Sequence, residues 1–379
     1  MKNKNFHLMA SGPSITKIEK NFVYRMMNSG WNNYQYVENF EKDFARFHKR
    51  KYCLLMPSCT LSIYLILKSL KIKKGDEIIC PDTTWTATAA PIIELGAIPV
   101  FIDVKKDSWC INEDLIEKNI TKKTRAIIFV DLFGNLPNVE KLKKISKKYK
   151  IPLIEDSAEA LGSKYGGLYA GKFGLASVHS FHRTKTITSG EGGAILTDNK
   201  SLFNKMKNSR DLGRSKINPY IADNVSLKFM PSNFQASILC AQLSRIKQLL
   251  KIKKNIHYRY VEQLKKNKIF FTTNVDNKKT QNGFWATSIV YDSKYKIMSA
   301  DLIKRLYKKK IAVRHFFSPL STQPGYKKVR IKNASPLVGM ELYKRGLTLP
   351  SHYLLTKKNI DYICNNLSSI LKKHESNIR

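Results

Sequence analysis

Between residues 52 and 200 short apolar runs alternate with stretches of helical periodicity, and this alternation constrains the fold more than any other feature. The runs Cys53–Met56, Glu77–Cys80, Pro99–Asp103, Arg125–Asp131, Pro152–Asp156, Ala176–Phe181 and Gly193–Thr197 read as strands. Thr60–Leu70 and Val139–Tyr149, which lie between them, carry apolar residues at helical spacing. Strands that alternate with helices form a mainly parallel sheet covered on both faces, so the fold class is α/β. Turn residues punctuate the pattern at Lys74-Gly-Asp76, Leu95-Gly96 and Gly190-Glu-Gly-Gly193. In such a sheet ligands bind beyond the carboxyl ends of the strands.

Residues 233–254 read as one long helix leaving this layer. Beyond it a strand at Trp285–Val290, a helix at Asp301–Lys309, a strand at Ile311–Arg314 and a helix from Lys357 suggest a smaller α+β unit. The expected domains are 1–250 and 251–379.

The chain carries 67 Lys and Arg against 29 Asp and Glu, a formal charge of +38. Such an excess raises the question of nucleic-acid binding. The lysines, however, fall in amphipathic runs, Lys141–Lys150, Lys251–Lys254 and Lys308–Lys310, that read as solvated helix faces. No arginine-rich arm, zinc-finger spacing or RNA-binding sheet motif accompanies them, so no nucleic-acid partner is expected. An anionic small substrate would profit from the field in either case. Six cysteines without a C-x-x-C pair point to reduced thiols in a cytoplasm and to no metal site. No apolar run reaches the roughly 20 residues of a membrane helix, and the N-terminus lacks the apolar stretch of a signal peptide.

Three strand ends supply a coherent chemical set. Pro152-Leu-Ile-Glu-Asp156 ends in a carboxylate. Ala176–Phe181 runs into His182-Arg-Thr-Lys185 and a glycine-flanked loop. Pro57-Ser-Cys-Thr60 opens a helix, where free N–H groups and the helix dipole suit a phosphate. A carboxylate, a lysine and a phosphate cradle are what pyridoxal 5'-phosphate (PLP) requires. Trp85, just past the strand ending at Cys80, is placed to stack on its ring.

These residues resemble a known family. Ser180-Phe-His-Arg-Thr-Lys-Thr-Ile-Thr-Ser-Gly-Glu-Gly-Gly193 is similar to the S-F-H-x-x-K-x-x-T-x-G-E-G-G signature of DegT/DnrJ-type sugar-nucleotide aminotransferases, a branch of the fold-type-I (aspartate-aminotransferase-like) PLP enzymes. Glu155–Gly162 resembles the family's E-D-A-A-x-A-x-G segment. Gly30-Trp31 with Tyr36–Glu41, Arg314–Pro324 and Gly346–Ser351 resemble its terminal landmarks. The perosamine-synthetase-like members are the most similar. The resemblance implies Lys185 as the Schiff-base lysine, Asp156 as the partner of the pyridine nitrogen and Trp85 as the stacking aromatic. It also implies Thr60, Ser180 and the Cys59 backbone at the phosphate, and Glu159 beside the cofactor and sugar. His182 and Arg314 are further candidates for substrate contact. Lys228 stands where relatives carry an Asn that crosses a dimer interface to the phosphate, and Met230 replaces a family arginine.

The implied activity is amination of a nucleotide-linked 4-keto-6-deoxyhexose, with glutamate as donor, in a cytoplasmic homodimer. Glu159 favours C4 over C3. Related dehydratases carry His where this chain has Lys185, which argues for transfer. A non-catalytic regulatory or nucleic-acid-binding member is a rival that the intact Asp156, Lys185 and Trp85 set disfavours.

Overall fold

The apolar runs form strands within a residue or two of where their composition places them. A computed structural model describes Leu8 and residues 10–218, 220–333 and 335–376. Seven strands make the central sheet: β1 (Tyr52–Met56), β2 (Glu77–Pro81), β3 (Ile98–Ile102), β4 (Thr124–Val130), β5 (Leu153–Asp156), β6 (Ala176–Ser180) and β7 (Gly193–Thr197). Their spatial order is β1-β7-β6-β5-β4-β2-β3. The pairs β2·β3, β2·β4, β4·β5 and β5·β6 are parallel, and β7 runs antiparallel to both of its neighbours. Strands buried on both faces need continuous apolar runs, and β2, β3 and β7 are buried throughout.

This topology gathers the chemistry. The carboxyl ends of β1, β2, β4, β5 and β6 lie along one edge of the sheet, and each is followed by a loop that stays there. Because β7 returns directly alongside β6, the loop 181–192 must fold over that same edge. It is held by Phe181 N–H to Gly192 O at 2.9 Å and by Thr188 Oγ1 to Phe181 O at 2.7 Å.

The helix expected over 233–254 is two helices, Asn233–Ser244 and Ile246–Lys266. Apolar periodicity continues across the break, so nothing local announces it. Arg245 leaves helical geometry at φ −103°, ψ 8°. Its guanidinium is drawn to Ser14 Oγ at 2.9 Å, to Thr16 Oγ1 at 3.2 Å and to buried Glu19.

The second of these helices joins two cores. Ile246 and Leu249 pack with Phe40, Phe44 and Leu239. Ile256, Tyr260 and Leu264 pack with Ile289, Leu302, Leu347 and Ile363. That second core includes a four-stranded antiparallel sheet of β8 (Phe271–Thr273), β9 (Ser288–Tyr291), β10 (Arg314–His315) and β11 (Gly346–Thr348), in the order β8-β9-β11-β10. The strand expected at 311–314 is therefore displaced: Ile311 pairs singly with Leu8, and the sheet residues are 314 and 315. The strand expected at 285–290 begins three residues later, which frees Trp285 for the ligand cavity.

Lysines 143, 144, 147 and 148 lie on the exposed side of the helix Val139–Tyr149, whose Val139, Leu142 and Ile145 are buried. The run Lys251–Lys254 departs from the solvated reading, because Lys253 is buried. No helix among the described residues is long and apolar enough to cross a membrane.

Candidate active site

Asp156 ends β5 with its carboxylate buried. Its Oδ2 accepts from Thr88 Oγ1 at 2.8 Å and its Oδ1 from the Ala158 N–H at 3.2 Å. Burial raises its pKa, against the lowering pull of the Thr88 and Ala158 hydrogen bonds and of the nearby Lys185 charge. A buried acid with so few donors gains from a cationic N–H placed against it.

Lys185 reaches the same region from the β6–β7 loop. Its Nζ lies 3.1 Å from Glu159 Oε1 and 4.0 Å from the centre of the Trp285 ring. The other Glu159 oxygen accepts the Phe133 N–H at 3.0 Å. Phe133 is held at φ 53°, a region that favours glycine, so the chain bears local backbone strain where it meets this carboxylate.

The helix Cys59–Ser69 opens with Ser58 as its cap, the Ser58 Oγ accepting from Leu61 N–H at 3.1 Å. Gly193 at the start of β7 lies so close that a Cβ there would stand 2.5 Å from the Cys59 nitrogen. This helix start thus presents free N–H groups in a narrow cup. Burial raises the Cys59 thiol well above its usual range, so it stays protonated and unreactive and its backbone is the useful part.

One cavity of about 1100 Å³ gathers Cys59, Thr60, Trp85, Asp156, Glu159, Ser180, His182, Lys185 and Arg314. Trp85, 61% exposed overall, lines this cavity and approaches Phe317, ring centres 5.9 Å apart. The Ser180 hydroxyl accepts from the His182 N–H at 3.3 Å. His182 pairs through Nδ1 with Thr184 Oγ1 at 3.0 Å, and its pKa is lowered by burial, with Glu191 opposing. The Arg314 guanidinium lies 5.3 Å above the Trp285 ring, and its Nε and Nη2 are buried without a hydrogen-bond partner among the described residues. Burial lowers its pKa while Glu159 pulls the other way.

Lys228 stands apart from the cavity within this chain. It pairs with Asp211 at 3.1 Å and is half exposed. Sequence reasoning missed several lining residues. Thr88 holds Asp156; Trp285 carries both cations on its ring; Phe317 and the segment 10–13 close the wall. The Trp285 indole plane lies within 7° of the Phe133 ring, and Phe133 within 6° of Phe317. Two of the missed residues offered a signal: Trp285, a tryptophan at the start of an expected strand, and Phe317, inside the stretch Arg314–Pro324.

A buried aspartate at the end of a central strand, a lysine on the loop before the antiparallel strand and a cupped helix start together define a PLP enzyme of fold type I. Comparison with known proteins agrees and goes further. A model of the DegT/DnrJ/EryC1/StrS aminotransferase family matches residues 13–368. The chain is 31% identical to the GDP-perosamine synthase of Vibrio cholerae over 93% of this chain and 96% of that protein. The corresponding Escherichia coli O157:H7 protein is 31% identical over 94% and 96%. Among solved structures, the PLP form of the putative sugar aminotransferase Spr1654 from Streptococcus pneumoniae superposes with a TM-score of 0.91 at 25% identity, covering 98% of this chain and 100% of that one. Helicobacter pylori PseC, an aminotransferase involved in the biosynthesis of pseudoaminic acid, gives 0.90 at 27% identity, covering 96% and 99%. The chain belongs to the DegT/DnrJ/EryC1/StrS aminotransferase family. It is a PLP-dependent sugar aminotransferase.

The side chains present fit that cofactor. The raised pKa of buried Asp156 is what a partner for a protonated ring nitrogen would relieve. Glycine at 193 leaves space against the Cys59 nitrogen that a side chain would fill, as a phosphate held at this helix start would need.

Proposed function

We propose that the enzyme transfers an amino group from glutamate to C4 of a nucleotide-linked 4-keto-6-deoxyhexose, for glycan or surface-polysaccharide synthesis. The observation that carries this reading is Glu159, held against Lys185 at 3.1 Å in a chain 31% identical to two GDP-perosamine synthases. Glutamate at this place is similar to the perosamine-type members. The cavity, about 1100 Å³, has room for a sugar beside the cofactor.

In this reading Asp156 holds the ring nitrogen, Trp85 covers a ring face, and Thr60, Ser180 and the Cys59 N–H hold the phosphate. Bound PLP supplies an aldehyde that exchanges amines and a ring that takes up the electron pair of a deprotonated carbon. Lys185 Nζ removes and returns the proton at the donor α-carbon and at the sugar carbon. Glu159 fixes that nitrogen between uses, and the Trp285 face gives it a second resting contact. Arg314 and His182 line the wall where the sugar nucleotide enters.

A second copy of the chain completes the site in this proposal. Ile217, Tyr220 and Val225, on the segment that leads to Lys228, are 97%, 97% and 94% exposed. Apolar side chains that protrude so far invite burial against a partner, which would carry Lys228 to the neighbouring phosphate site. Sedimentation of a fully active monomer would remove this part.

The substrate assignment is tested by offering GDP-, UDP- and dTDP-linked keto sugars with glutamate and identifying products by mass spectrometry and NMR. Amination at C4 supports the proposal, and amination at C3 alone overturns it.

A further inference from the structure

The carbonyls of the two residues that flank Lys185, Thr184 and Thr186, are each taken by an aromatic donor from the C-terminal third of the chain. Trp285 Nε1 donates to Thr184 O at 2.6 Å, and the Tyr353 hydroxyl donates to Thr186 O at 2.5 Å. The Lys185 N–H itself closes a turn onto His182 O at 2.9 Å. The backbone that bears the lysine is therefore tied on both sides, leaving the side-chain torsions as its main freedom.

The two anchors also form one piece. Lys253 stands 4.5 Å above the Tyr353 ring and donates to Ser351 O. Ser351 Oγ in turn accepts the Thr287 N–H at 3.0 Å, two residues beyond Trp285. The Ser351 N–H donates to Ala10 O at 2.9 Å, next to the segment that closes the cavity wall. Burial raises the Tyr353 pKa, so its hydroxyl remains a neutral donor. Trp285 lines the cavity, whereas Tyr353 is not among the cavity-lining residues and acts only through the peptide.

We propose that Tyr353 is a positioning residue for amino transfer: its hydroxyl, holding Thr186 O while the Trp285 indole holds Thr184 O, clamps the backbone on either side of Lys185 and aims Nζ at Glu159 and the cavity. The inference rests on Lys185 as the residue that moves the proton. A flexible lysine with an unfixed base samples many positions, and a displacement of about 1 Å from the reacting atoms costs about a hundredfold in rate.

The test is Tyr353→Phe in the PLP-loaded enzyme, with Lys185→Ala beside it. Phenylalanine keeps the ring, its packing and the Lys253 contact, and deletes one hydrogen bond. Expected are a kcat lower by about tenfold, a KM for the keto sugar within about twofold, and a shift of about half a pH unit or more in the titration of the visible band. Lys185→Ala should lose that band. Wild-type kcat and titration in Tyr353→Phe, with the band absent in Lys185→Ala, would overturn the clamp alone. So would a lower melting temperature as the only change. A band that persists in Lys185→Ala would overturn the reading on which the clamp stands.

Discussion

Glu159 bridges two elements of the site: one carboxylate oxygen lies 3.1 Å from Lys185 Nζ and the other accepts the Phe133 N–H at 3.0 Å. Both groups are largely buried, so the pair gains from charge assistance that surface ion pairs lose to solvent. In Glu159→Gln the amide can still accept from Phe133, but it turns an N–H towards the ammonium. Turnover with the keto sugar should fall by about tenfold or more while PLP remains bound. Steady-state kinetics beside a cofactor titration checks this, and unchanged turnover would remove Glu159 from the machinery.

Asp156 gives a prediction with opposite signs in the two forms of the protein. Burial raises its folded-state pKa. The stability it contributes is therefore complete below the ordinary aspartate value of about 3.9 and is lost as pH rises through the higher folded value. Asp156→Asn avoids that loss. The apoprotein of the variant should melt above wild type at pH 7, and the gap should close towards pH 4. The same variant should bind PLP more weakly, by about tenfold or more. Melting scans of both apoproteins across this range decide the matter.

In the proposed reading Gly193 sets the width of the cup that holds the phosphate. A methyl group there would fall 2.5 Å from both the Cys59 nitrogen and the Ser58 carbonyl carbon, distances at which backbone must move. Gly193→Ala should weaken PLP binding by about tenfold or more, as read by fluorescence titration. Wild-type affinity would place the phosphate elsewhere.

Lys253 carries the clearest stability signature. Burial brings its pKa down to about 7, with Arg314 contributing in the same sense. For a lysine so depressed, the stabilising contribution is full above the unfolded value of about 10.4 and is lost as pH falls through about 7. Lys253→Met should exceed wild type in stability at pH 6, by on the order of a few kcal/mol, and lose that advantage towards pH 10. Denaturant melts at the two pH values check the sign.

Much of this molecule was legible in the sequence, for identifiable reasons. Strands buried on both faces need unbroken apolar runs, so β1 to β7 were found to within a residue or two. Nine of the ten expected site residues line one cavity: eight sit at or just beyond strand ends that share an edge of the central sheet, and Arg314 reaches it from the four-stranded sheet. What escaped detection depends on tertiary contacts. The break at Arg245 comes from a guanidinium drawn to Glu19, Ser14 and Thr16, more than 220 residues away in the chain. Trp285 looked like the first residue of a strand, yet its indole reaches Thr184. Lys253 sits in a run of lysines with exposed neighbours, and its burial comes from tertiary contacts such as those with Ser351 and Tyr353. Met230, where the family carries arginine, is half-buried, and nothing in the single chain accounts for the exchange.

The central claim is transfer of nitrogen to a sugar carbon through Lys185. The direct measurement is to incubate the PLP-loaded enzyme with nucleotide-linked 4-keto-6-deoxyhexoses and ¹⁵N-glutamate, and to follow the label by NMR and mass spectrometry. The account predicts ¹⁵N at C4 of the sugar and 2-oxoglutarate in equal amount, with none formed by Lys185→Ala. Consumption of the keto sugar without label, or labelled product from Lys185→Ala at the wild-type rate, would contradict it.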